Sequence, residues 1–191
     1  MNHGPGLVVY QTPGHTPDEV AVWDPQERYL FVGDTLYEWA PIIFPLEGSL
    51  FRFSESLGRL KTLVSGWNAE KEGEHACCHG SAKSGEEWRL IIAPESSNSE
   101  SIVKPRVKIA CGHATKDSDA EELLRDVDYF LYRVTQNLVP PVDRGSARGE
   151  SLQAYEREDG KLSFLGPKRL FDEFRADRTA METLVRRQPT L

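Results

Sequence analysis

Three residues of this chain have the types and settings that bind metal: His15, Asp34 and His113. His15 follows Pro13-Gly14 in "QTPGHTPDEV", Asp34 follows Gly33 in "FVGDTLYE", and His113 follows Gly112 in "IACGHATKD". A glycine beside each lets the backbone turn tightly and clears space for a bound group. Imidazoles and a carboxylate offered from separate loops make a borderline-soft donor set suited to zinc. An aspartate lying between two histidine-bearing loops could bridge two metals, which together lower the pKa of a bound water toward neutrality. Taken singly, each residue also has a plainer reading, the histidine as a structural turn residue and the aspartate as a cap.

The elements around these residues explain how they could meet. Leu7 to Tyr10, "LVVY", reads as a strand stopped by Pro13-Gly14. Val20 to Trp23 and Tyr29 to Val32 read as two more, joined by a turn at Asp24-Pro25. A hairpin of this kind puts His15, before it, and Asp34, after it, at the same sheet edge. Val107 to Ala110 is a further strand and leads into Cys111-Gly112-His113.

Helical spacing of Leu57, Leu60, Leu63 and Val64 predicts a helix capped by Ser54 and ending near Gly66. The clearest helix is Asp117 to Asn137, with an acidic first turn, an apolar stripe and Pro140-Pro141 beyond it. Arg144 to Gly149 reads as a turn or linker. "LQAYERE" and "KLSFLG" suggest a late hairpin, or a strand with a short helix, and "KRLFDEFRADRTAMETLVRR" is amphipathic and helical. One body over 1–175 is expected, with a polar insertion at about 66–104 and a helical tail over 176–191.

At 191 residues the chain suits one domain with a sizeable core. A net charge of −7 argues against a general nucleic-acid or anionic-membrane surface. No apolar run approaches the ~20 residues that span a bilayer, and no signal peptide is visible. Three cysteines make no disulfide framework, so a cytoplasmic location is the expectation.

With its turn, strands and glycines, "TPGHTPDEVAVWDPQERYLFVGDTLYE" resembles the metallo-β-lactamase superfamily of zinc hydrolases, over the C-terminal half of its αββα sandwich. The resemblance covers roughly residues 5 to 140, interrupted between about 66 and 104. It implies an α/β fold, a partial sandwich lacking its N-terminal half, and His15, Asp34 and His113 as metal ligands. Asp34, in Gly33-Asp34-Thr35-Leu36, would bridge up to two zinc ions and serve as the catalytic carboxylate. Position 18 is Asp where the family often has Gly. The larger departure is that the family's earlier H-x-H-x-D-H motif is nowhere in this chain. Even sharing Asp34, each zinc would have two protein ligands, whereas a catalytic zinc typically has three.

The chain therefore reads as the C-terminal portion of a longer enzyme, inactive as written, that would hydrolyse an ester, thioester or lactam by metal-bound hydroxide. Its expected partner is a small acyl or thioester substrate, with neither nucleic acid nor membrane, and a homodimer is left open. The alternative is a non-catalytic binding or dimerisation module on the same fold.

Two other stretches carry candidate chemistry. "HACCHG" could gather His75, Cys77, Cys78 and His79 on a metal, although structural zinc sites usually space their cysteines further apart. "YEWAPIIFP", straight after Asp34, could wall an apolar substrate or simply fill the core. Cys111 could line the metal pocket or be buried as a small hydrophobe.

Overall fold

A computed structural model describes residues 6–70 and 104–188 of the chain. The candidate cluster His75, Cys77, Cys78 and His79 and most of the expected polar insertion lie outside those residues.

The N-terminal strands β1 (Val8–Gln11), β2 (Val20–Asp24) and β3 (Tyr29–Phe31) form an antiparallel meander. Its tight turn is built by Asp24, whose Oδ1 accepts from the amides of Gln26 and Glu27 at 2.9 and 3.1 Å. After β3 the chain forms a short strand, β4 (Pro41–Ile43), and then helix α1 (Leu50–Ala69). Strand β5 (Lys108–Ala110) returns parallel to β3 and pairs with β6 (Ser118–Asp119), giving a first sheet of order β1-β2-β3-β5-β6.

Period-two alternation gives this sheet two faces. Val8, Trp23, Leu30 and Ile109 align in one cross-strand row; Val9, Val22, Phe31 and Ala110 align in the other. Trp23, Leu30 and Ile109 are buried and join one core with α1 and helix α2 (Ala120–Thr135). Trp67 of α1 stacks on Trp23 with ring centroids 4.0 Å apart. The second face is open, with Val9 62 % and Phe31 45 % exposed.

A second sheet has the order β4-β9-β8-β7, formed with β7 (Val142–Ala147), β8 (Glu150–Glu156) and β9 (Ser163–Pro167). Its inner side carries Ile42, Tyr155 and Phe164 into an aromatic cluster with Phe44, Phe53, Phe130 and Phe171. Helices α3 (Lys168–Ala176) and α4 (Arg178–Arg186) close the fold. Asp128, fully buried on α2, takes Lys61 at 2.7 Å and Arg187, just beyond α4, at 2.8 Å.

Several sequence expectations need correction. The helix expected from Ser54 begins at Leu50 and runs through Gly66 to Ala69; its cap is Ser49, whose side chain accepts from Arg52 N. Ser54 is buried inside it, where its Oγ accepts from Arg187 at 2.7 Å. The helix expected over Asp117 to Asn137 is shorter at both ends, with Asp119 as its cap. Arg144 to Gly149 is not a linker: most of it is β7, an exposed edge strand with a bulge between Asp143 and Ser146. The single C-terminal helix is two, broken at Asp177, which ends α3 and caps α4 by accepting from Ala180 N at 2.9 Å. The mixed α/β class holds, with two sheets and four helices among the described residues.

Candidate functional site

The three candidate residues all leave the same end of the first sheet. His15 lies in the loop from β1 to β2, Asp34 follows β3, and His113 follows β5, which runs parallel to β3. Two backbone bonds join the last two loops at their roots: Val32 N to Ala110 O at 2.9 Å and Gly112 N to Gly33 O at 2.7 Å. This juxtaposition sets His113 Nε2 3.3 Å from Asp34 Oδ1, with both side chains partly open to solvent.

Both glycines matter for that contact. Gly33 has a φ of +54° and sits so close to Glu19 that a Cβ would lie 2.4 Å from its Oε1. Gly112 leaves no room for a Cβ, which would fall 2.4 Å from Asp34 Oδ1. Glu19 Oε1 also accepts from the Asp34 amide at 3.3 Å, so a carboxylate at the start of β2 supports the loop that carries Asp34.

His15 is placed differently. Its Nδ1 lies 2.5 Å from the carbonyl oxygen of Ile43, on β4. A carbonyl only accepts, so Nδ1 is the donor, and in the neutral ring Nε2 is the nitrogen left with a lone pair. That arrangement orients an imidazole for coordination through Nε2, because metal-bound histidines commonly donate their other N–H to a carbonyl. Gly14 fixes the approach: its φ is +153°, and a Cβ there would lie 2.4 Å from Phe53 Cα.

Tyr37 completes the setting. It is buried, and its ring meets His113 edge-on with centroids 5.0 Å apart. Burial, and then the negative charge of Asp34, raise its phenol above the usual tyrosine range. Cys111 is a half-buried free thiol packed on the core, and its Sγ lies 3.5 Å from Thr115 O.

The fit to zinc is partial. Bond lengths of ~2.1 Å in a tetrahedral shell separate two ligand atoms by about 3.4 Å, close to the Asp34–His113 spacing. The donor types also fit. The number does not: among the described residues no three His, Cys, Asp or Glu side chains converge on one point. Asp34 and His113 are brought together; His15 is oriented by Ile43 without closing a three-ligand group.

The apolar segment after Asp34 divides between its two readings. Leu36, Tyr37, Ile42 and Phe44 fill the core, whereas Trp39 is 66 % exposed and has a positive φ of 65°. Trp39, Pro41 and Leu165 line a cavity of about 420 Å³ on the outer side of the second sheet, with Arg144 and Glu156 at its polar positions. Glu19, Tyr37 and Glu38 were not singled out from the sequence. Their roles depend on loops that meet only in the fold, and no local spacing marks them.

Residues 1–68 match the metallo-beta-lactamase superfamily, which bears out the resemblance over a stretch that includes His15 and Asp34. The chain is also similar to a protein of Aspergillus versicolor named "Putative transcription factor avaE", with 27 % identity over 158 residues. That similarity covers 83 % of this chain and 36 % of the relative, so the chain spans about a third of the relative's length. No solved structure matches. Among the described residues no helix is long and apolar enough to cross a membrane.

Proposed function

We propose that Asp34 and His113, with His15 aimed from the neighbouring loop, are the C-terminal share of a zinc centre in a metallo-β-lactamase-type hydrolase. The observation that carries this reading is the 3.3 Å approach of His113 Nε2 to Asp34 Oδ1 at one sheet end. The superfamily match and the free Nε2 of His15 support it. When bound, zinc would supply a nucleophilic hydroxide near neutral pH and polarise a carbonyl oxygen. This chain's own residues would hold the ions and, through Asp34, stand between them, but on their own they leave the centre short of ligands and inactive.

The fold in this reading is part of an αββα sandwich. The open row Val9, Val22 and Phe31 is the face that a further sheet would cover, and the further ligands would come from that layer. In this reading the domain spans 1–175, with 176–191 as a helical tail. The substrate class is an acyl ester, thioester or lactam, with Trp39 and its cavity as the apolar wall. The protein works in the cytoplasm, where its thiols stay reduced.

A second reading is favoured by the same open face. Exposed apolar rows mark docking surfaces, so the chain would be a non-catalytic module binding a partner or a second copy. The name of the Aspergillus relative, "Putative transcription factor avaE", sits with this alternative rather than with hydrolysis.

Zinc content after purification in zinc and dialysis separates the readings. The expected result is less than one zinc per chain, falling to background in Asp34→Ala and His113→Ala, with no thioester turnover. Two tightly held zinc ions would overturn the incomplete centre. A zinc level that neither substitution changes would overturn the assignment of the ligands and leave the docking module.

A further inference from the structure

Glu38 is the buried carboxylate that stands between the two site loops. It is 8 % exposed and lies four positions after Asp34. Its amide donates to Thr115 Oγ1 at 2.7 Å, and its Oε2 accepts from Ser118 Oγ at 2.7 Å. Thr115, in the loop between β5 and β6, and Ser118, the first residue of β6, both follow His113. Glu38 therefore grips the His113 loop at two points, once by its backbone and once by its side chain. Among the described residues, and apart from the Asp34–His113 approach itself, the hydrogen bonds between residues 34–40 and residues 113–118 all involve Glu38.

The other carboxylate oxygen faces Lys161, whose Nζ is 2.9 Å from Oε1. Lys161 lies in the turn from β8 to β9, and its carbonyl accepts from Trp39 N at 2.8 Å. Asp126 of α2 stands 3.7 Å from the same ammonium and takes Arg157 at 3.3 Å. Glu38 beside it holds the Lys161 ammonium above its ordinary range. A carboxylate taken out of water is costly unless fully partnered, and these charge-assisted bonds partner both oxygens. Core packing alone would be served as well by an apolar side chain, as replaced buried ion pairs demonstrate. What an apolar residue could not do is bond Ser118 and Lys161 at once and so fix three loops relative to one another.

We propose that Glu38 is the positioning residue of this site, holding the His113 loop against the Asp34 loop so that the two donors share one point. The inference rests on reading Asp34 and His113 as paired donors. Glu38 touches neither of them through its side chain and acts through Thr115, Ser118 and Lys161.

The test uses the whole chain and NMR contacts between the Tyr37 and His113 rings, whose centroids are 5.0 Å apart. Wild type should give these contacts, Glu38→Ala should lose them, and Glu38→Gln, which keeps the shape and the Lys161 acceptor, should restore them. The Phe130–Phe164 contact in the core, at 4.8 Å, should persist in all three. Retention of the Tyr37–His113 contacts in Glu38→Ala would overturn the proposal. Should that variant unfold, the double change Ser118→Ala with Lys161→Met removes the same grip, and intact ring contacts there would overturn it equally.

Zinc titrated into the same samples tests the site separately. Loss of Glu38 should weaken zinc binding by about tenfold, the scale on which supporting residues act on metal affinity. If wild type keeps the ring contacts but zinc leaves the His15 and His113 resonances unmoved, the zinc reading fails while the role of Glu38 in joining the loops stands.

Discussion

A Cβ added to Gly112 would stand 2.4 Å from Oδ1 of Asp34. The neighbour in the way is the end of a side chain, so the carboxylate can rotate aside with little disturbance to the backbone. Gly112→Ala should therefore leave the melting temperature within a few degrees of wild type but break the Asp34–His113 approach. Zinc binding by calorimetry should fall about tenfold or more, the range seen when ligand orientation is lost.

Gly14 poses the opposite case. Its missing Cβ would meet backbone atoms of Phe53, 2.4 Å from Cα and 2.6 Å from N, and its φ of +153° disfavours any side chain. Neither can give way cheaply. Gly14→Ala should destabilise by about 2–4 kcal/mol in urea denaturation, from backbone strain and overpacking together.

The buried charge on α2 should be sensitive to removal of either sign. Asp128 is fully buried and neutralised by Lys61 and Arg187. Asp128→Ala leaves two half-buried cations facing each other, and about 3–5 kcal/mol of stability should be lost, as for other broken buried pairs. The double change Asp128→Leu with Arg187→Met should recover part of the loss.

The N-cap of α2 gives a prediction for acid. The Arg106 guanidinium beside Asp119 is the main cause that holds its carboxyl below the ordinary value of 3.8. The folded state then binds fewer protons than the unfolded state, so stability rises with pH through this range. Its contribution is complete above the ordinary value and is lost as pH falls through the lowered one. Asp159, held at about 2 chiefly by Arg157, adds to the same window. Urea midpoints should drop as pH is lowered from about 4 toward 2, and Asp119→Asn should flatten that slope.

The stem of the 71–103 segment predicts that this segment is dispensable for folding. Arg28, in the β2–β3 turn, donates to Trp67 O at 2.7 Å and to Pro105 O at 2.5 Å, touching the chain on both sides of it. Lys104 and Glu70 pair at 3.6 Å, and Asn68 accepts from Val107 N at 2.9 Å. With those ends held together, replacing 71–103 by a short Gly-Ser linker should preserve the circular dichroism of the helices and the cooperativity of unfolding. Closing a shorter loop changes the entropy only modestly.

The sequence announces what is local. β1 to β3, the Asp24 turn and the apolar stripe of α2 follow from alternation, turn chemistry and helical spacing, and with them the placing of His15 and Asp34 at one sheet end. Errors cluster where distant packing decides. Ser54 has the signature of a cap, yet Phe53 must reach Phe44, at 5.0 Å, so the helix starts a turn earlier at Ser49. Gly145, with a φ of +75°, makes β7 read as a turn although its ladder is supplied by β8. Glu38 could not be read at all, because its partners lie 77 to more than a hundred residues away.

That separation bears on the order in which the molecule folds. The meander β1 to β3 needs only near neighbours, but β5 joins β3 in parallel after a span that includes all of α1 and the 71–103 segment. Contacts between residues so far apart close late, because the entropy of the intervening chain must be overcome first. A partly folded chain thus presents Asp34 long before His113 arrives, and the approach of these two side chains marks the completion of folding.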